Sequence, residues 1–273
     1  MDWPDFKTFS IDDQGALVRV TFDHPPINLI SLEMTFELKA LCAALRKSAA
    51  KVVLFKSADA EFFLAHFDLH PIKAWPVGEA VTTPSLFAEI VDGFRALPVI
   101  SIAQVDGIAR GGGSEFLLAL DMVFASPRSR FNQLEAAIGI IPGGGGTARL
   151  PARIGRNRAL EVIASARDFT AEEAAAYGWI NRTVPEGELE AFVEGLAARM
   201  ARFPKDTLAA AKRVVDTALQ STGQALIDEN VENTALIEAG IPQPLIEAAL
   251  AHGAQTREGE LDIEAMIGAL HTG

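Results

Sequence analysis

The stretch of sequence that decides the fold runs from residue 98 to residue 115 and reads Pro98-Val99-Ile100-Ser101-Ile102-Ala103-Gln104-Val105-Asp106-Gly107-Ile108-Ala109-Arg110-Gly111-Gly112-Gly113-Ser114-Glu115. Residues 99–105 predict a strand, which the turn dipeptide Asp106-Gly107 ends. Three glycines then open a predicted helix over 114–120. Glycine lets the backbone approach a ligand closely, and the free N–H groups of the new helix point toward that ligand. This turn suits a phosphate or a developing oxyanion, although a tight strand–helix turn would use the same residues.

Strands and helices alternate on both sides of this stretch. Residues 17–22 alternate apolar and polar side chains, which predicts a strand. The continuous apolar run 52–55 predicts a strand buried on both faces, as in a parallel sheet. Thr83-Pro84 is expected to start a helix, and short strands are expected at 121–125 and 130–133. This alternation indicates an α/β fold.

The remainder of the chain is predicted to be helical. Thr170 and Glu173 form a capping-box pattern, and Gly178 is a plausible helix end. Helical periodicity continues toward the C-terminus, for example over 224–238 and 259–270. We therefore expect an α/β core over residues 1–200 and a helical C-terminal region over residues 201–273.

A second glycine cluster, Pro142-Gly143-Gly144-Gly145-Gly146, follows the first. Four glycines lose much backbone entropy on ordering, which favours a loop pressed against a ligand over a simple turn. Two carboxylates lie beside the clusters. Glu115 begins the helix after the first, where a helix-start role is the alternative, and Glu135 precedes the second, where a surface acid is the alternative. Together they indicate a pair of acids flanking a water molecule.

Common nucleotide and hydrolase motifs are absent from both clusters. The spacing is not that of the dinucleotide fingerprint, and Gly146-Thr147 lacks the lysine of a P-loop. Phe116 stands where a nucleophile elbow needs its last glycine. His66 and His70 have a metal-binding spacing, but no third ligand is identifiable, so no metal site is expected.

Composition limits the partners and the compartment. The formal net charge is −12, from 24 basic and 36 acidic residues among 273, which disfavours nucleic acid and anionic lipid as partners. No apolar run approaches the roughly 18 residues of a membrane span. Cys42 is the only cysteine, so no intrachain disulfide is possible. The first residues lack the basic and apolar segments of a secretory leader, and a cytoplasmic location is expected.

With these residues in view, the chain resembles the crotonase superfamily, which contains the enoyl-CoA hydratases and isomerases. The resemblance covers roughly residues 15–185 and is carried by three segments, 98–115, 131–150 and 168–181. It implies a spiral of ββα turns with a helical C-terminal region that mediates trimers or hexamers. It also implies an acyl-CoA thioester as the ligand, with no cofactor because coenzyme A is part of the substrate.

The resemblance also implies roles for individual residues. The backbone N–H groups of Phe67 and Gly112 would form an oxyanion hole, and Glu115 and Glu135 would be the catalytic acids. The predicted substrate contacts are Ala65, Asp68, Leu69, Pro142 and Gly143.

The first oxyanion loop departs from the family pattern, which has a glycine and a small residue where this chain has His66 and Phe67. An N–H group survives that change, because every residue except proline carries one. Phe67 could form a wall of the acyl pocket. His66 could be a general base or a packing residue.

We expect the addition of water to an α,β-unsaturated acyl-CoA through an enolate. Isomerisation and thioester hydrolysis remain open, as does a catalytically silent protein that has a blocked pocket. Dehalogenation is disfavoured because residues 142–146 contain no aspartate.

Overall fold

The computed structural model describes residues 3–73, 81–218 and 223–270. Residues 1–2, 74–80, 219–222 and 271–273, which fall within the two predicted regions, lie outside the described residues. Within the described part of the chain, no helix is long and apolar enough to cross a membrane.

The strands form two sheets. The six-stranded sheet has the order β1-β2-β3-β5-β7-β10, and the four-stranded sheet has the order β4-β6-β8-β9. The bounds are β1 Phe9–Asp13, β2 Leu17–Phe22, β3 Val52–Ser57, β4 Phe62–Leu64, β5 Ile100–Val105, β6 Ile108–Arg110, β7 Met122–Ala125, β8 Arg130–Asn132, β9 Phe169–Thr170 and β10 Arg182–Thr183.

The helices surround these sheets and make up most of the C-terminal region. Their bounds are α1 Leu32–Lys47, α2 Leu69–Lys73, α3 Leu86–Arg95, α4 Gly112–Ala119, α5 Gly146–Ile154, α6 Arg156–Ser165, α7 Ala171–Tyr177, α8 Leu189–Ala201, α9 Lys205–Ala218, α10 Gly223–Glu238, α11 Pro242–Ala251, α12 Arg257–Leu261 and α13 Ile263–Leu270, with a 3₁₀ helix over Glu135–Ile138.

Successive pairs of strands contribute one strand to each sheet. The pairs β3–β4, β5–β6 and β7–β8 repeat this pattern. Within each sheet the corresponding strands of successive pairs are parallel, whereas β1–β2 and β8–β9 are antiparallel. The chain therefore winds as a spiral of ββα turns, which confirms the fold expected from the resemblance. The apolar run 52–55 lies in β3, between the parallel strands β2 and β5, and is buried on both faces as predicted.

An aromatic cluster anchors α4 to the core. The ring of Phe116 lies edge-on to Phe55, Phe94 and Phe22 at centroid distances of 5.1, 5.4 and 5.9 Å. Each edge-to-face pair contributes about 0.5–1.5 kcal/mol to stability beyond the contribution of burying the rings. Phe116 directly follows Glu115, so this cluster fixes the helix that carries the predicted acid.

Two boundaries differ from the sequence prediction. The cap of α3 is Ser85, whose side chain accepts a hydrogen bond from the Ala88 N–H, and not Thr83. Thr83 instead uses its backbone carbonyl to accept a hydrogen bond from Asn230 of α10, a tertiary contact. The helix predicted over 259–270 is broken at Asp262, which lies between α12 and α13 with φ −120° and ψ 53°.

The C-terminal helices of the chain pack on its own core. Ile237 and Ile246 join a buried apolar cluster with Leu69 of α2 and with Ile138 at the end of the 3₁₀ helix. Asn233 of α10 also accepts a hydrogen bond from the Ile141 N–H at 2.8 Å. Residues 223–270 therefore cover the second glycine loop, and the role of residues 201–273 in trimer formation stays a prediction.

Gly113 sets the distance between α4 and β4. A Cβ at this position would lie 2.2 Å from the carbonyl oxygen of Leu64, which is a backbone atom. We expect Gly113→Ala to lower the free energy of unfolding by about 3 kcal/mol, because the helix must move away from the strand. Gly195→Ala in α8 is the matched control, since nothing lies within 4 Å of its Cβ position. The free energy of unfolding of this control, measured by urea denaturation, should be about 0.5–1 kcal/mol higher than that of the wild type. Equal midpoints for Gly113→Ala and the wild type would contradict the expectation.

Candidate active site

A cavity of about 260 Å³ lies between the two glycine loops. The first oxyanion loop, the start of α4, the 3₁₀ helix and α10 all contribute to its wall. The residues that form the reactive part of the wall are His66, Phe67, Gly111, Gly112, Glu115, Glu135, Gly143 and Gly144. The structure thus brings the predicted oxyanion donors and both predicted acids to one cavity, and this cavity is not blocked.

Two backbone amides face this cavity from separate segments. A Cβ built on Gly112 would lie 3.2 Å from the Phe67 nitrogen, so the two residues are in direct contact. Gly112 is the first residue of α4, where the N–H has no acceptor within the helix. Among the residues that the structure describes, neither the Phe67 amide nor the Gly112 amide donates a hydrogen bond. Buried N–H groups are rarely left without a partner, so this pair is available to a ligand oxygen.

Glu115 is held by the second glycine loop. Its Oε1 atom accepts hydrogen bonds from the Gly144 N–H at 2.7 Å and from the Gly146 N–H at 2.9 Å. Burial raises the pKa of Glu115, and these two hydrogen bonds together with the charge of Arg149 partly oppose that rise. A Cβ at Gly144 would lie 2.6 Å from Oε2, so glycine is required for this close approach.

Glu135 begins the 3₁₀ helix, and fewer hydrogen bonds offset the burial of its carboxyl group than for Glu115. Its Oε2 atom is buried with no hydrogen-bond partner among the described residues. Burial raises the pKa of Glu135 well above its usual value, and the negative charges of Glu115 and Glu229 raise it further. Glu135 therefore holds its proton more tightly than Glu115, whose carboxylate has two N–H donors.

Sequence reasoning missed a third buried carboxylate, Glu229 of α10, which is 2% exposed. It accepts a hydrogen bond from the Ala148 N–H in the first turn of α5, close to the amides that bind Glu115. Burial raises the pKa of Glu229 to about 9, with the charge of Glu115 as the second cause. Helical periodicity places Glu229 in a helix, but only the packing of α10 onto α5 buries it.

The rest of the wall is mainly apolar, and its polar members are Thr35, Ser85, Asn230 and Asn233. The rings of Phe67 and Phe87 lie 5.4 Å apart between centroids. This arrangement agrees with the predicted role of Phe67 as a wall residue. The aliphatic side chains that complete the lining are Leu69, Ile72, Leu134, Ile138, Ile140, Ile141 and Ile237. A cavity with this lining suits a compact apolar acyl group.

The predicted substrate contacts divide into two groups. Leu69 and Gly143 line the cavity, whereas Ala65, Asp68 and Pro142 are not part of its wall. The Ala65 carbonyl accepts a hydrogen bond from the Arg110 N–H, and the Asp68 carboxylate accepts one from the Gln255 side chain. Ala65 and Asp68 thus support the oxyanion loop from behind. Their direct contact with substrate stays a prediction.

His66 lines the cavity, but both of its ring nitrogens already have protein partners. Nδ1 lies 2.8 Å from the Phe67 carbonyl oxygen, and Nε2 lies 2.8 Å from Oε1 of Glu260. A general base needs a free nitrogen, so this geometry favours a supporting role over the general-base hypothesis. Within residues 3–73, 81–218 and 223–270, no cluster of three or more potential metal ligands is present.

The spiral fold is that of the crotonase class of acyl-CoA enzymes, and the two amides and the buried glutamates lie at one cavity of it. The sequence profile described as enoyl-CoA hydratase/isomerase matches residues 12–238. The chain therefore belongs to the enoyl-CoA hydratase/isomerase family, whose members act on acyl-CoA thioesters.

Named relatives agree with this membership. The chain is 31% identical over 212 residues to the carnitinyl-CoA dehydratase of Shigella flexneri. The aligned residues cover 77% of this chain and 81% of the relative. It is also similar to the crystal structure of a "putative enoyl-CoA hydratase" from Streptomyces avermitilis. That structure has a TM-score of 0.89 and 38% identity, over 98% of this chain and 100% of the other.

The pKa of Glu229 predicts a specific dependence of stability on pH. The folded state keeps the proton of Glu229 up to about pH 9, whereas an unfolded glutamate loses it near the ordinary value of 4.5. Between these values the folded state binds more protons, so the free energy of unfolding falls as pH rises, by up to about 1.4 kcal/mol per pH unit. Glu229→Gln lacks this contribution, so its stability relative to the wild type should increase from pH 5 to pH 8 in urea denaturation. The exposed Glu172→Gln is the control and should follow the wild type, and a Glu229→Gln difference that is constant with pH would contradict the prediction.

Proposed function

We propose that the protein is an enoyl-CoA hydratase, which adds water across the α,β double bond of an unsaturated acyl-CoA thioester. The observation that carries this proposal is the pair of unpartnered amides at Phe67 and Gly112 beside the two buried acids Glu115 and Glu135. The name of the S. flexneri relative supports it, because a dehydratase catalyses the same step in the reverse direction.

The oxyanion hole would act on the thioester oxygen. When the water oxygen bonds to the β-carbon, the electrons of the double bond move toward the thioester and make its oxygen an enolate oxygen. The Phe67 and Gly112 N–H groups donate to that oxygen, and each such donor contributes about 3 kcal/mol in the transition state. Protonation of the α-carbon then restores the thioester, and water has been added as OH and H.

The environments of the two glutamates support different roles for them. Glu115 accepts two N–H hydrogen bonds and loses its proton more readily, so it is the base that takes a proton from the attacking water. Glu135 keeps its proton because it is buried beside other carboxylates, so it is the acid that donates to the α-carbon. Neighbouring acids with separated pKa values are the usual basis for such a division of roles. The proton gained by Glu115 balances the one lost by Glu135.

Further expectations belong to the same proposal. The reaction would need no cofactor, because coenzyme A is carried by the substrate. We expect residues 201–273 to form a trimer or a dimer of trimers, which light scattering in solution tests, and a cytoplasmic location.

Substitution of each glutamate tests the proposal. Glu115→Gln cannot accept a proton and Glu135→Gln cannot donate one, so each should lower kcat for crotonyl-CoA hydration by about 10²–10⁴-fold. The wild type should show a bell-shaped pH profile of kcat, because activity rises as Glu115 loses its proton and falls as Glu135 loses its own. Both limbs should lie above the ordinary carboxyl pKa of 4.5, since both pKa values are raised. Loss of the conjugated enoyl absorbance measures the rate.

The control variant is Glu172→Gln in α7, which carries an exposed acid and should keep wild-type activity. Assays with a 3-enoyl-CoA and with a saturated acyl-CoA separate the alternatives, through isomerisation in the first case and release of free thiol in the second. A wild type that does not hydrate crotonyl-CoA but carries out either of these reactions would replace the hydratase proposal.

A further inference from the structure

A buried ion pair lies directly behind the oxyanion loop and joins it to the C-terminal region. It consists of His66, 4% exposed, and Glu260 of α12, 0% exposed. The two residues are 194 positions apart in sequence, and their Nε2 and Oε1 atoms are 2.8 Å apart. The other ring nitrogen, Nδ1, lies 2.8 Å from the Phe67 carbonyl oxygen.

The partners of the ring fix its charge. A carbonyl oxygen only accepts hydrogen bonds, so the Nδ1 atom that faces Phe67 must carry a proton. Oε1 of Glu260 accepts a second hydrogen bond, from the Gln255 N–H at 2.7 Å, which favours an ionised carboxylate facing Nε2. Burial alone would lower the pKa of His66, but the charge and hydrogen bond of Glu260 outweigh burial and raise it. Both ring nitrogens thus face acceptor oxygens, which is the arrangement that suits a doubly donating imidazolium.

Other charged groups surround this pair. Arg110 of β6 donates from Nη1 to the Glu260 carbonyl at 2.5 Å and forms a two-point ion pair with Asp168, at 2.8 and 2.5 Å. On the opposite side, a Cβ at Gly111 would lie 3.0 Å from Oε1 of Glu135 and 3.3 Å from the His66 Cβ. The cluster thus contacts both oxyanion segments, because the Cβ position of Gly111, the residue before Gly112, lies beside His66.

Peptide geometry links the ring to the direction of the Phe67 N–H. The His66 carbonyl accepts a hydrogen bond from the Ile30 N–H at 2.9 Å. In a planar trans peptide the N–H points opposite to the C=O, so this bond directs the Phe67 N–H away from Ile30. Contact with Gly112 places that N–H on the cavity side. The next carbonyl, that of Phe67, is held by the imidazolium, so the peptides on both sides of Phe67 are fixed.

We propose that His66 and Glu260 are positioning residues that set the Phe67 half of the oxyanion hole, and that docking of α12 onto the core thereby completes the active site. This inference rests on the proposed function only in that a thioester oxygen is the ligand of the two amides. Neither residue needs to touch the reacting atoms. Their role is to hold the Phe67 N–H so that it and the Gly112 N–H can donate to the same oxygen.

The first test uses Glu260→Gln, which keeps the side-chain size and removes the charge. A small displacement of one oxyanion donor should lower kcat for crotonyl-CoA by about 10- to 100-fold, with KM changed less than about threefold. Glu258→Gln on the exposed side of the same helix is the matched control and should match the wild type. His66→Asn, which can still donate toward the Phe67 carbonyl, should retain more activity than His66→Ala. Wild-type kcat in Glu260→Gln and His66→Ala would overturn the inference.

The second test measures how well the oxyanion hole stabilises a bound enolate, without any catalytic turnover. Acetoacetyl-CoA can bind as its enolate, whose near-ultraviolet absorbance reports stabilisation of the negative oxygen. We expect this absorbance with the wild type and with Glu258→Gln, and a loss of about 10-fold or more in enolate affinity with Glu260→Gln. A wild type that binds the enolate but does not hydrate crotonyl-CoA would overturn only the hydratase proposal. A wild type that binds no enolate would overturn the positioning role as well.

A pH profile and a spectrum of the wild type complete the test. Removal of the Glu260 charge lowers the pKa of His66, so the ring loses its proton at lower pH in Glu260→Gln than in the wild type. The variant should therefore lose activity with rising pH at a lower pH than the wild type does, in addition to the changes that the Glu115 and Glu135 limbs report. Nuclear magnetic resonance of the five labelled histidines, with His66→Asn for assignment, should show a charged His66 ring at pH 7. A ring that is neutral at pH 7 would overturn the inference even if no variant folds.

Discussion

The close approach of α4 to the loop after β4 is the constraint on which the rest of the site depends. Backbone contacts bring the two segments together, since the Arg110 N–H donates to the Ala65 carbonyl at 3.1 Å. Gly112 and Gly113 permit this approach because a Cβ at either position would meet Phe67 or Leu64. The same contact places two N–H groups at one cavity, and neither has an acceptor in the described part of the chain. A larger residue at these positions would separate the donors, and a single amide would bind an enolate oxygen less well.

Three buried carboxylates around the start of α5 form the second feature of the site. Glu115 and Glu229 both accept hydrogen bonds from amides of this segment, and Glu135 lies close enough for their negative charges to raise its pKa. Burying several acids together is unfavourable unless protons are retained, so their pKa values are raised. Two N–H hydrogen bonds and the charge of Arg149 oppose the rise in the pKa of Glu115, and this separates it from Glu135, whose pKa is raised well above its usual value. In the proposed reaction, this electrostatic difference makes Glu115 the base and Glu135 the acid.

The C-terminal helices complete the site. Asn233 accepts from the Ile141 N–H at the start of the second glycine loop, and Glu229 caps the helix that follows it. Glu260 reaches the first oxyanion loop through His66. A cavity assembled in this way exists only when residues 223–270 are docked on the spiral core. Stability and catalysis are therefore linked through the same contacts.

The sequence by itself determined the fold class, the two glycine loops and the two catalytic candidates, because these depend on local periodicity and on residue types that short segments reveal. It did not determine β4 or β6, since three residues are too few for a periodic signal, nor the break at Asp262 that orients α12. Only the tertiary structure decided that Glu229 is buried and that His66 is paired with Glu260, because their partners come from distant parts of the chain. Long-range packing sets burial, and burial sets the charge state of each acid and of the imidazole.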